Sequence, residues 1–312
     1  MKPRALAKAV QCYLKQRRQL GFALKEEGQM LSQLVRYAAQ RRHRGPLTSE
    51  LALSWAQSPA QASRLWWARR LDAARRFAAF WRAFDPRTEL PPVGAFGPAY
   101  RRRTVHIYTT EEIAALMQAA GRLGGLRGLS FRTLIGLLAC SGLRIGEALR
   151  LQVQDIDWTA GVLTIRHSKF RRSRYVPLQA SSLNALKHYR QRRQKYRSAQ
   201  AQSIPLFAGK DGGAISYGQA AYTFRLLREH LGWNQQPLPR IHDLRHTFAV
   251  RCLIDWHRQG EEIAQKVLSL ATYLGHSNIS GTYWYLSAVP ELLALTHARW
   301  PELKLGQGGS HV

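Results

Sequence analysis

The chain has 312 residues, with 47 Lys and Arg against 19 Asp and Glu, which gives a formal net charge of +28 and a pI near 11.1. Such a field attracts polyanions, so nucleic acid or an anionic membrane is the expected partner, and an enzyme for acidic substrates is a weaker option. The chain is 45% hydrophobic and 10% aromatic, which excludes a disordered basic tail. Its three widely spaced cysteines exclude a disulfide framework.

The sequence carries no sign of a membrane or secretory protein. No apolar run reaches the roughly 18 residues of a membrane span, and the first residues lack an apolar signal core. We therefore expect a soluble protein of a reducing compartment, cytoplasmic and associated with the bacterial nucleoid, with no membrane partner.

Residues 1–85 are predicted to form a helical DNA-binding domain. Apolar residues recur at helical spacing near residues 4–20, 27–43, 48–56 and 64–84. The aromatic residues of the last segment are expected to form the core of a helical bundle. The arginines between them are predicted to contact phosphate, and we assign this role to Arg69, Arg70 and Arg76.

Residues 86–103 interrupt the helical pattern. They contain four prolines and two glycines and end in Arg101, Arg102 and Arg103. This composition predicts an extended basic linker whose arginines cross the DNA backbone.

Residues 104–300 are predicted to form a second, larger domain, and residues 301–312 a flexible tail. Thr109 and Glu112 have the spacing of a capping box at the start of a helix. Two β-rich runs, GVLTIRH and SRYVPL, flank the basic tip SKFRR and predict a hairpin. Further helices are expected near residues 130–140, from 143 onward, and near 180–198, 216–231, 242–256, 262–274 and 278–286. The fold class is therefore mainly α with a small β-hairpin sheet (α+β), arranged as a two-domain DNA clamp.

Two segments of this domain place cations at unusual positions. SGLRIGEAL puts Arg144 in the first turn of a helix, where a cation is unfavourable unless an anion lies nearby. The hairpin tip carries Lys169 with Arg171 and Arg172. Neighbouring cations lower the pKa of a lysine, so Lys169 is a candidate proton donor, and the two arginines are candidate phosphate contacts.

Two further segments carry histidines and tyrosines. In RIHDLRHTFAV, His242 and Arg245 share one helix face with His246. A zinc site at the two histidines would need His276 or Asp155 as a third ligand. The segment lacks the glutamate of a metalloprotease helix, so we predict no metal or cofactor.

The fourth segment is LGHSNISGTYWY, with His276 near its start. Its residues Tyr283 and Tyr285 are two apart and point to different faces of a helix. At most one of them can therefore share a site with His276.

The strings SGLRIGEAL, HDLRHTFA and LGHSNISGTYWY resemble the three signature boxes of the tyrosine recombinase (phage integrase) family. The resemblance covers residues 104–290, and the amino-terminal bundle looks like the family's core-binding domain. The family's nucleophile follows the histidine of its third box by nine residues, which favours Tyr285 over Tyr283. The resemblance implies the catalytic set Arg144, Lys169, His242, Arg245, His276 and Tyr285.

The resemblance also implies a mechanism. Tyr285 would attack a DNA phosphate to give a 3′-phosphotyrosyl bond, with His242 taking the phenol proton and Lys169 protonating the departing 5′-oxygen. Arg144, Arg245 and His276 would hold the phosphate oxygens, and Glu147 is expected to orient Arg144. The implied partner is double-stranded DNA with specific recombination sites, bound by a homotetramer, with or without partner recombinases, and no small-molecule substrate is implied.

Three other functions stay open at this point. A type IB topoisomerase-like enzyme would share the nicking and closing chemistry, and a catalytically silent accessory factor would share the DNA binding. A metal-dependent nuclease would use Asp155, Asp157 and His242, although the two aspartates are expected to cap a strand. The segment between Arg245 and His276 is about ten residues longer than in compact family members. Recombinases of mobile elements share that length, which favours integration or transposition.

Overall fold

The computed structural model describes residues 3–100, 104–166, 173–196 and 205–275, together with Thr282 and Tyr285. The chain divides into two compact units, Met1–Arg103 and Thr104–Val312. The second unit begins at the residue where the sequence analysis starts its larger domain. Within the described residues, no helix has the length and apolar character needed to cross a membrane.

The described part of the first unit is a bundle of helices. They are α1 (Pro3–Gln19), α2 (Lys25–Gln40), α3 (Ser49–Gln57) and α4 (Arg64–Trp81). The hydroxyls of Thr48 and Ser63 accept main-chain hydrogen bonds at the starts of α3 and α4, which satisfies donors that a helix leaves free. Trp55 and Phe77 are fully buried between the helices. Phe84 lies beyond the end of α4 and stays exposed, so the predicted aromatic core does not include it.

The first part of the predicted linker packs against this bundle. The amide of Glu89 donates to the carbonyl of Leu47, and Leu90 and Phe96 contact the bundle core. Proline and glycine content predicts an extended path, whereas these two apolar side chains gain burial by staying on the bundle. Arg101 to Arg103 lie outside the described residues.

The described part of the second unit combines helices with one small sheet. Its elements are α5 (Thr110–Gly121), α6 (Gly125–Ser141), α7 (Ile145–Ala148), β1 (Ile156–Asp157), β2 (Val162–Ile165), β3 (Arg174–Pro177), α8 (Ala180–Arg193), α9 (Tyr217–His230), α10 (Asp243–Arg258) and α11 (Ile263–Leu274). The capping box at Thr109 and Glu112 forms as predicted, with both reciprocal hydrogen bonds present. The predicted fold class, mainly α with a small antiparallel sheet, is confirmed.

The sheet has the order β1-β2-β3, with both pairs antiparallel. The hairpin prediction is therefore correct for β2 and β3, and the structure adds β1 at one edge. Leu163 and Val176 are paired across the sheet and point into the core, whereas Tyr175 on the other face is exposed. The hairpin tip, with Lys169, Arg171 and Arg172, lies outside the described residues.

A second apolar cluster joins α10 and α11 with Tyr285. Leu253 and Leu274 are fully buried in it, and the ring of Tyr285 packs among the same side chains. Of the predicted helix near 278–286, only Thr282 and Tyr285 are described, and both are helical.

Candidate active site

Two glycines end the helices that meet at the site. Gly142 follows α6 at φ +59° and Gly275 follows α11 at φ +66°, in the left-handed region that glycine adopts without strain. A Cβ atom at Gly142 would overlap the ring of Phe248, so no larger residue fits this turn. Both turns leave main-chain carbonyl groups at the ends of their helices.

Arg245 spans these two helix ends from the first turn of α10. It is buried, and its Nη1 and Nη2 donate to the carbonyls of Gly142 and Leu274, each at 2.7 Å. Carbonyl groups at a helix C-terminus carry partial negative charge, which favours a cation there. Burial, and then repulsion from Arg144, lower the pKa of the guanidinium to about 10, so it stays charged at neutral pH.

Arg144 lies beside Arg245 but enters the site from a different position than predicted. It is the residue before α7 and has an extended backbone, so it is the N-cap rather than part of the first turn. Its Nη2 donates to the carbonyl of Gly275 at 3.0 Å. The carboxylate of Glu147 accepts the Arg144 amide at 3.0 Å, which fixes the helix start one residue later.

Glu147 connects this arginine to the sheet. Its carboxylate is buried and receives Nη1 of Arg144 at 3.0 Å and both Nη atoms of Arg174 at 3.0 and 2.8 Å. Burial alone raises the pKa of a carboxyl group. Hydrogen bonds and charge from Arg174, followed by Arg144, outweigh that effect and hold the pKa of Glu147 at about 2.

Tyr285 is almost fully buried, and its hydroxyl lies 2.9 Å from Nδ1 of His246. Which atom donates depends on the tautomer of the histidine. Burial raises the pKa of the Tyr285 hydroxyl, while the charges of Arg245 and Arg144 lower it in part. The phenol is therefore protonated at neutral pH and lies within the field of both guanidinium groups.

His246 is not among the predicted catalytic residues, although it contacts the Tyr285 hydroxyl. The available signal was its position, one residue after Arg245 and one helical turn after His242 on the same face. His242, the predicted proton acceptor, precedes α10. Part of the residue is exposed to solvent, but its ring packs against that of His246, with the two centroids 4.8 Å apart. Desolvation and then the Arg245 charge lower the pKa of His242, which keeps its ring neutral at neutral pH.

Four of the six predicted catalytic residues are described, and they converge. Arg144 and Arg245 both donate to the carbonyl of Leu274, at 3.4 and 2.7 Å, although 101 positions separate them in the chain. Tyr285 and His242 both contact His246. The other two predicted catalytic residues, Lys169 and His276, lie outside the described residues, as does Tyr283.

The carboxylates of the two aspartates considered for a metal site accept hydrogen bonds from groups around the sheet. Asp155 accepts the amide of Gln152 and the Nε of Arg166, and Asp157 accepts amides of the turn after β1. Among the residues that the structure describes, no three His, Cys, Asp or Glu side chains are grouped to hold a metal ion.

The arginines predicted to contact DNA differ in their surroundings on α4. Arg69 and Arg76 are about half exposed and pair with acidic side chains of the bundle. Arg70 is buried, donates to the carbonyl of Trp55 at 2.7 Å and stacks on the Trp55 ring at 4.3 Å. Its guanidinium is turned into the bundle and meets phosphate only by leaving these partners, so we omit Arg70 from the proposed DNA interface. Arg101, Arg102, Arg103, Arg171 and Arg172 lie outside the described residues.

Solved structures share this architecture. The Tn1549 transposon integrase in complex with transposon right end DNA matches with a TM-score of 0.68 and 17% identity, over 96% of this chain and 99% of that one. A lambda integrase dimer bound to a COC′ core site matches with a TM-score of 0.62 and 18% identity, over 89% of this chain and 96% of that one. At these identities the likeness concerns the fold.

Sequence relatives extend the likeness beyond the fold. The putative integrase/recombinase y4rB of Sinorhizobium fredii is 38% identical over 294 residues, which are 91% of this chain and 93% of that protein. Tyrosine recombinase XerC of Xanthomonas campestris pv. campestris is 29% identical over 218 residues, which are 70% of this chain and 62% of that protein. A family model described as the phage integrase family matches residues 107–291, more than half of the chain. With the arginine pair and the buried tyrosine in one site, these matches establish that the chain belongs to the phage integrase family of tyrosine recombinases.

Proposed function

We propose that this protein is a site-specific DNA recombinase of the integrase or transposase type, which cuts and rejoins strands through a 3′-phosphotyrosyl bond at Tyr285. The observation that carries the proposal is one site within one chain that combines the Tyr285 hydroxyl with two charged guanidinium groups, those of Arg144 and Arg245. A phenol and two arginines are what in-line attack on a phosphodiester needs from a protein.

The arginines stabilise the negative charge that develops on the phosphate oxygens. As the Tyr285 oxygen attacks, negative charge grows on the two non-bridging oxygens, and guanidinium groups match those oxygens in a planar, bidentate way. The P–O bond to Tyr285 forms and the P–O5′ bond breaks. In our proposal, Lys169 gives its proton to the departing 5′-oxygen, and His276 hydrogen-bonds a non-bridging oxygen.

The phenol proton needs an acceptor, because burial raises the pKa of Tyr285. We keep His242 as that acceptor, since the lowered pKa leaves its ring neutral. His246 contacts the hydroxyl directly, and we assign it the role of holding Tyr285 in place before DNA binds. The rings of His242 and His246 lie edge to face with their centroids 4.8 Å apart, so His242 lies next to the ring that contacts the hydroxyl.

We further propose that the reaction needs neither a metal ion nor ATP. The guanidinium groups supply the positive charge, and the phosphotyrosyl ester keeps the energy of the broken bond for attack by another 5′-hydroxyl. The partner is double-stranded DNA with specific sites, bound by a homotetramer with or without partner recombinases. Arg69, Arg76, Arg101 to Arg103, Arg171 and Arg172 are proposed to follow the duplex backbone.

Covalent trapping tests this function. A nicked suicide duplex, built from the DNA that flanks the gene, is incubated with the protein in EDTA. We expect a covalent protein–DNA adduct that Tyr285→Phe abolishes and the matched control Tyr283→Phe retains. A requirement for Mg²⁺, or an adduct that survives Tyr285→Phe, would contradict the proposal.

A further inference from the structure

Arg174 is the first residue of β3, and its side chain makes three hydrogen bonds inside the site. Its Nη1 and Nη2 hold the two oxygens of Glu147 at 3.0 and 2.8 Å, and its Nε donates to the carbonyl of Tyr273 at 2.8 Å. The side chain is 12% exposed, against 2% for Glu147. Such a buried bidentate pair fixes the orientation of both partners.

Three arginines of the site converge on the end of α11. The carbonyl of Tyr273 accepts from Arg174, that of Leu274 from Arg245, and that of Gly275 from Arg144. A Cβ atom at Gly275 would lie 2.9 Å from Nη1 of Arg174, so glycine leaves the space that this guanidinium fills. The convergence places three cations at the negative end of one helix.

We propose that Arg174 is a positioning residue, which acts through Glu147 to hold the Arg144 guanidinium in the phosphate site and anchors the start of β3 to the end of α11. This inference rests on the proposed function, because it concerns the phosphate site of the same reaction. Arg144 is 27% exposed, and its guanidinium donates to one described side chain, that of Glu147, and to the carbonyls of Leu274 and Gly275. Among the described residues, the carboxylate of Glu147, which Arg174 itself holds, is therefore the one side chain that fixes the direction of Arg144.

The charges around Glu147 make the inference testable by pH. Arg144 and Arg174 hydrogen-bond the carboxylate, and Arg245 on α10 faces it electrostatically. Without Arg174, burial raises the pKa of Glu147 against fewer opposing interactions. A protonated Glu147 accepts fewer hydrogen bonds and no longer orients Arg144. Activity should therefore fall at a higher pH than in the natural chain, where protonation of His242, whose pKa is about 4, comes first.

The experiment measures single-turnover adduct formation on the nicked suicide duplex at saturating protein, together with DNA affinity. We expect Arg174→Met to slow adduct formation by about ten- to a hundredfold, the loss of one or two charged hydrogen bonds, while DNA affinity changes little. Arg174→Lys retains the charge without the bidentate geometry and is expected to be intermediate. Thermal unfolding of each variant identifies any that fails to fold.

A double variant separates positioning from mere packing. Arg174→Met should move the acidic limb of the pH profile to higher pH, and Arg174→Met combined with Glu147→Gln should lack that shifted limb, because glutamine does not titrate. Rates for Arg174→Met equal to those of the natural chain, or the same shifted limb in the double variant, would overturn the inference. If the natural chain itself forms no adduct, the proposed function fails first and the inference fails with it.

Glycine substitutions give an independent route. Gly275→Ala would push against Arg174, whereas Gly232→Ala imposes the same backbone strain after α9, at φ +70° with open space around the new Cβ. We expect Gly275→Ala to slow adduct formation about tenfold or more and Gly232→Ala to leave it unchanged. Equal rates in the two variants would contradict a role for the packing of Arg174 on Gly275.

Discussion

The arginines of the catalytic unit and those on α4 have the same chemistry but opposite surroundings. Arg245 is buried and held by two main-chain carbonyls at helix ends, whereas the side chains of Arg69 and Arg76 are about half exposed and pair with acidic side chains of the bundle. A buried, preoriented cation contributes strongly to one specific interaction, whereas exposed pairs contribute about 0–1 kcal/mol each. In our proposal, the high net charge therefore serves two purposes: buried, oriented cations for the chemistry and exposed cations for attraction of DNA.

Arg70 belongs to neither class. It lies on the same helix as Arg69 and is buried like Arg245, yet its partners are the carbonyl of Trp55 and the Trp55 ring. Burial alone does not make an arginine catalytic. What distinguishes Arg245 is a location beside the Tyr285 hydroxyl, at the junction of two helix ends.

The largest effect is expected from Arg245. We expect Arg245→Lys to lower the rate of adduct formation by about 100- to 1000-fold, because one ammonium group cannot hold both carbonyls and a phosphate oxygen. Single-turnover cleavage measures the rate, and a gel-shift titration measures DNA affinity. Affinity should change by only about two- to threefold, since this is one phosphate contact among many. An equal loss in affinity and rate would show that Arg245 serves DNA binding, as proposed for Arg69 and Arg76, and not the chemical step.

An intermediate effect is expected from His246. His246→Phe keeps a ring but removes the contact to Tyr285, and we expect cleavage to slow about tenfold, the value of one neutral hydrogen bond. His246→Asn keeps a polar atom near the position of Nδ1 and should retain most of the rate. If Asn loses as much as Phe, His246 transfers the proton rather than holding the hydroxyl.

The smallest effect is expected at the surface of α4. Replacing Arg69 and Arg76 together by Gln should weaken DNA binding a few-fold and reduce the slope of log affinity against log salt by up to about 2, with no change in cleavage rate at saturation. Arg70→Gln is the matched control on the same helix. It should lower the melting temperature and leave the salt slope unchanged. A changed slope in Arg70→Gln would show that Arg70 leaves the bundle to meet DNA.

Local patterns predicted the helices well, because their signals lie within a few residues. The reciprocal bonds of Thr109 and Glu112 need only a three-residue spacing, and the β2–β3 pairing needs only two β-rich runs around a turn. The helix predicted from residue 143 begins two residues later, at Ile145, because the bond from the Arg144 amide to the Glu147 carboxylate decides where α7 begins. The path after α4 was misjudged for a similar reason, since Leu90 and Phe96 find burial on helices far back in the chain.

The sequence by itself determined the family, the helical class and the candidates Arg144, Arg245 and Tyr285, because these depend on residue types at fixed local spacing. Only the tertiary structure decided that His246 meets the Tyr285 hydroxyl, that Arg70 turns inward while Arg69 does not, and that Arg174 holds Glu147. These outcomes rest on contacts between distant segments, such as the bond from Arg245 to Gly142 across 103 positions. Local sequence does not favour one such long-range contact over another, and the packing of the whole core decides which of them form.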